Sequence, residues 1–61
     1  MGVEMEITIQ TVDTFRHVLK NVDEYSVTEQ FFNVKYEDFT RQFSVPLTKI
    51  MWIDIQRYKH N

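Results

Sequence analysis

The chain has 61 residues and no cysteine, one glycine (Gly2), one proline (Pro46), no alanine and only two leucines, Leu19 and Leu47. Without cysteine there is no disulfide staple and no thiolate metal site, so a short chain has to hold itself together by packing alone. A single glycine at position 2 excludes the glycine-rich loops that cradle phosphates. The longest apolar run is Ile50-Met51-Trp52-Ile53, far short of the roughly 20 residues that span a bilayer as a helix. The opening Met1-Gly2-Val3-Glu4-Met5-Glu6 has neither the basic nor the apolar region of a secretory signal. Glu6 stands where a myristoylation signal needs Ser or Thr. The expectation is one small domain over residues 1–61 in the cytoplasm, with no membrane.

What is present points to strands. Valine, isoleucine, threonine and the aromatics supply 27 residues, the types that fit a pleated, half-buried surface, while the strongest helix former is missing. Val3, Met5, Ile7 and Ile9 alternate with Glu4, Glu6, Thr8 and Gln10, a period of two with one wet face. Phe32, Val34 and Tyr36 share a face of a strand over 31–36. Glu37-Asp38 supplies turn chemistry for a hairpin into a strand over 39–47, with Phe39, Phe43, Val45 and Leu47 on one side. A last strand over about 49–58 puts Met51, Ile53 and Ile55 on one face and Ile50, Trp52 and Tyr58 on the other. Pro46 fits an edge or a bulge, where a ladder donor is dispensable.

Residues 12–25 read two ways. As a helix, Val12, Phe15, Val18, Leu19, Val22 and Tyr25 share one apolar arc that excludes every charged residue. As a strand, Phe15, His17 and Leu19 alternate, and a bulge near Asn21 returns Val22 to the core. The β-branched Val12, Thr14, Val18 and Val22 favour the strand. The fold expected is all-β, a five-stranded antiparallel meander or partly open barrel. The alternative is α+β, β-α-β-β-β, with the helix at about 12–25.

The string Asn21-Val22-x-x-Tyr25-x-Val27-Thr28-x-x-Phe31, then Val34-x-Tyr36-x-Asp38, then Val45-Pro46-Leu47-x-x-Ile50-x-x-Ile53-x-Ile55, resembles small five-stranded β proteins of bacteria and phages with SH3-like or Sm-like meanders. The resemblance covers most of the chain and rests on hydrophobic spacing. It implies a compact regulatory or accessory role. Those barrels carry several glycines at their bends, and this chain has only Gly2.

Catalytic chemistry has little to build on. Ser26 and Ser44 lack the glycine-flanked elbow that exposes a nucleophile. His17 could use Asp13 as an orienting carboxylate only on a helix, and otherwise reads as a surface histidine. His17 and His60 lie too far apart for a closed zinc spacing. Asp23-Glu24 reads as a solvated acidic turn rather than a calcium loop. The expectation is no enzyme, no metal, no cofactor and no small-molecule substrate.

Charge and aromatics carry the functional signal. The formal net charge is −2, divided as −4 over residues 1–31 and +2 over residues 32–61. Lys49, Trp52, Arg57, Tyr58 and Lys59 mix cations with rings, the combination that single-stranded nucleic acid uses. Overall acidity opposes a polyanion. The alternative is a protein interface. A thin sheet buries one face, and apolar side chains on the other need cover. Phe31, Ile50, Trp52 and Tyr58 are the candidates. The leading expectation is a non-catalytic interaction protein that binds itself or a larger protein, with nucleic-acid binding as the alternative.

Overall fold

A computed structural model describes the backbone of residues 2–60 and the side chains of residues 4–58. It is all-β: β1 (Gly2–Thr11), β2 (Arg16–Leu19), β3 (Val22–Val27), β4 (Phe31–Tyr36), β5 (Arg41–Pro46), a 3-10 turn (Leu47–Lys49) and β6 (Ile50–His60). The strands form two antiparallel three-stranded sheets, in the orders β2-β1-β6 and β3-β4-β5. The sheets do not close into a barrel. No helix among the described residues is long and apolar enough to cross a membrane.

The strand count is six rather than five because residues 12–25 do not act as one unit, and they form no helix. The chain turns at Val12–Phe15, pairs β2 with β1, and then changes sheet at Lys20–Asn21. Asn21 makes that change with φ 56°, a left-handed conformation that asparagine tolerates better than most residues. Val22 is buried, as the strand reading required. The irregularity in β3 falls at Asp23, between Val22 and Glu24, rather than at Asn21. Asp23 is therefore no solvated turn: its carboxylate accepts the Phe39 N–H at 2.8 Å. The chain crosses between sheets a second time through the 3-10 turn, where the Leu47 N–H donates to the Gln30 carbonyl at 2.8 Å.

The alternation in β1 delivers what it promised. Ile7 and Ile9 are fully buried, and Met5 packs beside them. One core cluster joins Ile7, Ile9 and Leu19 from the first sheet to Val22, Phe32, Val34 and Val45 from the second. Each such side chain contributes about 1.5–3 kcal/mol by leaving water. The inner faces also meet where the His17 ring lies 4.9 Å from the Phe43 ring, so this histidine packs against an aromatic instead of simply meeting water. The β1–β6 ladder runs to ten pairs, Gly2↔His60 through Thr11↔Ile50, and it gives the molecule its long axis, 37 × 19 × 16 Å.

Two expected faces are corrected. The register of β1 against β6 skips Met51, so that Gln10 faces Trp52 and Thr11 faces Ile50. A bulge of this kind exchanges the faces beyond it. Ile50 therefore packs against the core, while Met51, expected inside, is exposed. Phe39 is the other case. It belongs to the β4–β5 turn, exposed and at φ 62°, following Glu37 and Asp38 at φ 55° and 56°. The turn at Glu37-Asp38 is where the sequence placed it, but it takes in Phe39 and Thr40 as well. Pro46 ends β5, an edge strand, as expected.

Candidate interaction surface

Register decides which side chains share the outer face of the β2-β1-β6 sheet. On β1 these are Glu4, Glu6, Thr8 and Gln10, on β2 Arg16 and Val18, and on β6 Trp52, Asp54, Gln56 and Tyr58. Arg16, Gln10 and Trp52 stand in one row across the three strands. The Arg16 Nε donates to Gln10 Oε1 at 3.4 Å, and its guanidinium carbon lies 5.7 Å from the Trp52 ring centroid. That is the distance at which a cation is held by the ring quadrupole. Trp52 still keeps 41% of its surface in water, Tyr58 45% and Val18 48%. Lower on β6, the Tyr58 hydroxyl donates to Gln56 Oε1, and Gln56 Nε2 donates to Asp54 Oδ2 at 3.0 Å.

The end of this sheet adds apolar surface that the sequence reading missed. Val12, Phe15 and Met51 are all more than half exposed. All three lie at the same end of the sheet, where the Val12 N–H donates to the Lys49 carbonyl at 2.9 Å and ties the β1–β2 turn to the start of β6. The helical spacing of the sequence places Val12 and Phe15 in one apolar arc instead. A turn signal at Asp13-Thr14 between two alternating stretches would have found them. The turn itself is held by Thr11, whose hydroxyl donates to Asp13 Oδ1 and approaches the Phe15 carbonyl at 3.1 Å. The Thr11 hydroxyl holds the Asp13 carboxyl below its ordinary range.

The expected sites divide on this geometry. Of the interface set, Trp52 and Tyr58 share the outer face, about 20 Å apart along the strand. Ile50 belongs to the core side. Phe31 is exposed but lies on the second sheet, opposite Pro46, where it borders a shallow open groove with Gln30 and Leu47. Of the nucleic-acid set, Trp52 and Tyr58 are on the outer face, whereas Arg57, opposite Met5, is on the other face of the same strand. Lys49 ends the 3-10 turn, and the Lys59 side chain lies outside the described residues. Among the described residues, the face that carries the rings holds Glu4, Glu6 and Asp54 against one cation, Arg16.

Of the residues considered for catalysis, Ser44 donates to Asn33 Oδ1 at 2.6 Å and Ser26 pairs with Asn33. Both serines sit on the polar outer face of the second sheet. The His60 side chain lies outside the described residues. Among the described residues no group of three or more His, Asp or Glu gathers as a metal site would require. Compared with family models, curated proteins and solved structures, the chain matches none.

Proposed function

We propose that this chain is a non-catalytic interaction module that binds a protein surface, either a second copy or a larger protein, through the outer face of the β2-β1-β6 sheet. The observation that carries the proposal is Trp52. It is an aromatic anchor on a solvent face, steadied by Arg16, with the exposed Met51 beside it in the chain and Val18 and Tyr58 further along the same face. Tryptophan, tyrosine and arginine are the residues that dominate binding energy at protein interfaces. Carboxylates interspersed among the rings favour a protein partner over a phosphate backbone. A small regulatory or accessory role, as the resembling bacterial and phage proteins suggest, suits such a module.

Trp52→Ala tests the reading. Association should weaken at least tenfold, the loss of about 1.4 kcal/mol or more that an anchor carries, with the circular dichroism of the folded chain unchanged. A Trp52→Ala chain that unfolds would make the ring a core element and end the proposal. Labelled single- and double-stranded oligonucleotides should give no anisotropy change at low salt. Binding that collapses with added salt would transfer the function to nucleic acid.

A further inference from the structure

The two sheets leave four edges, and three are blunted in ways that discourage pairing. β2 is only four residues long, β3 is interrupted at Asp23, and β5 ends on Pro46. β6 is different. It runs 11 residues with neither proline nor glycine, and its sole irregularity, at Met51, leaves Trp52–Tyr58 in regular register with β1.

The backbone groups it offers follow from two hydrogen bonds. The Thr11 N–H reaches the Phe15 carbonyl and the Val12 N–H reaches the Lys49 carbonyl, both at 2.9 Å. Successive residues of a strand point to opposite sides in the sheet plane. Odd-numbered residues of β1 therefore aim at β2, and even-numbered ones at β6. Their partners Trp52, Asp54, Gln56 and Tyr58 are spent on that ladder. Ile53, Ile55 and Arg57 are left to present N–H and carbonyl groups on the outer edge.

Resting on the interaction reading above, we infer that the partner is a second copy of this chain, joined edge to edge along β6 about a two-fold axis at Ile55. Charge and length select that register. An axis at Asp54 or Arg57 would set like charges against each other, and an axis at Ile53 or Tyr58 would waste much of the strand. An axis at Gln56 would face Tyr58 with Asp54 and bring Trp52 near the chain end. Ile55 is the midpoint both of β6 and of its regular stretch. There, Ile53, Ile55 and Arg57 meet Arg57, Ile55 and Ile53 of the second copy as hydrogen-bonded pairs. Asp54 meets Gln56, and Trp52 meets Tyr58, an aromatic pair on the outer face. Ile53 and Ile55, only half-buried in one copy, gain cover on the inner face. The product is one continuous six-stranded sheet, β2-β1-β6-β6-β1-β2.

Cysteine scanning tests this directly, since the chain has no cysteine of its own. Positions 54 and 56 would face each other as non-hydrogen-bonded neighbours, within disulfide reach. Mixed Asp54→Cys and Gln56→Cys chains, oxidised together, should give the mixed disulfide by intact mass, and neither variant should cross-link alone. A Gln56→Cys homodimer, or no cross-linking, would overturn the proposed pairing. Arg57→Pro removes one edge N–H and spares the β1 ladder. Sedimentation equilibrium should show the wild-type mass at twice that of the chain and the variant at once, with the β-sheet circular dichroism unchanged. An Arg57→Pro chain that still dimerises overturns the edge mode. If Trp52→Ala abolishes association while Arg57→Pro does not, the interaction reading stands and the edge dimer falls. If Arg57→Pro abolishes it while Trp52→Ala does not, the edge stands and the Trp52 anchor falls.

Discussion

The two outer faces of this molecule are built on the same plan, three antiparallel strands over a shared core, and they are furnished in opposite ways. On the β3-β4-β5 sheet, Ser26, Asn33 and Ser44 stand in one row and Glu24, Lys35 and Gln42 in the next. Ser44 bonds Asn33, and Lys35 lies 4.0 Å from Glu24. Apart from Phe31, exposed opposite Pro46 at the end of this sheet, that face bonds to itself and to water. On the β2-β1-β6 sheet the corresponding rows hold Trp52 with Arg16, Val18 with Asp54, and Tyr58. The difference leaves Trp52, Val18 and Tyr58 between 41% and 48% exposed on one face, the face on which the proposed interaction rests.

The strongest way to break the comparison is to remove what the two faces share. Ile9 is fully buried, and Ile9→Ala should cost about 2–5 kcal/mol. Thermal melts followed at the Trp52 fluorescence and in the far ultraviolet should shift down together, because both sheets rest on one cluster. Separate transitions would show that the sheets fold independently. Next in size is a contrast between the faces. Asn33→Ala should cost about 1 kcal/mol of stability through the lost Ser44 bond and leave association untouched, the reverse of Trp52→Ala. Denaturant titration paired with sedimentation measures both effects.

Smaller effects sharpen the picture at the turns. Phe39 is exposed with φ 62°, a conformation costing an L-residue about 1–2 kcal/mol. Glycine relieves that cost, gives back about 0.5–1 kcal/mol in backbone entropy, and keeps the N–H that Asp23 accepts. Phe39→Gly should raise the melting temperature slightly. The smallest effect is at Asp13. Its carboxyl is held low by Thr11, so the folded chain binds a proton there less readily than the unfolded chain does. The resulting stability is present above the ordinary value of 3.8 and is lost as the pH falls through the lowered folded value. Asp13→Asn should therefore show a shallower fall in melting temperature between neutral and acid pH.

Most of the fold was legible, because period-two alternation survives wherever a strand is regular. β1 and β4 show this, with Ile7, Ile9, Phe32 and Val34 buried as the pattern required. What the pattern could not carry was a change of phase. One skipped residue at Met51 sent Ile50 inward and Met51 outward, and no feature of Ile50-Met51-Trp52 distinguishes that from a regular strand. The break at Thr14 and the extension of the β4–β5 turn to Phe39 were hidden for a related reason, whereas a break near Asn21 was legible. Bends that ordinarily announce themselves with glycine are made here by residues that do not. Trp52 and Tyr58 could be placed on the outer face because parity alone puts them there. Val12 and Phe15 could not be placed, since that required knowing that the chain turns between them.

Those bends have a chemical consequence. Thr14, Asn21, Glu37, Asp38 and Phe39 all hold positive φ, the half of backbone space that L-chirality penalises and D-chirality prefers. The run from Glu37 to Phe39 is in effect a short mirror-image segment spelled in the wrong enantiomer. A D-residue placed at position 39 would find its own minimum there, whereas the same replacement inside β1 would tear the ladder. The handedness of each building block is thus a second code in this chain, and its punctuation marks are the places where the mirror image would fit better.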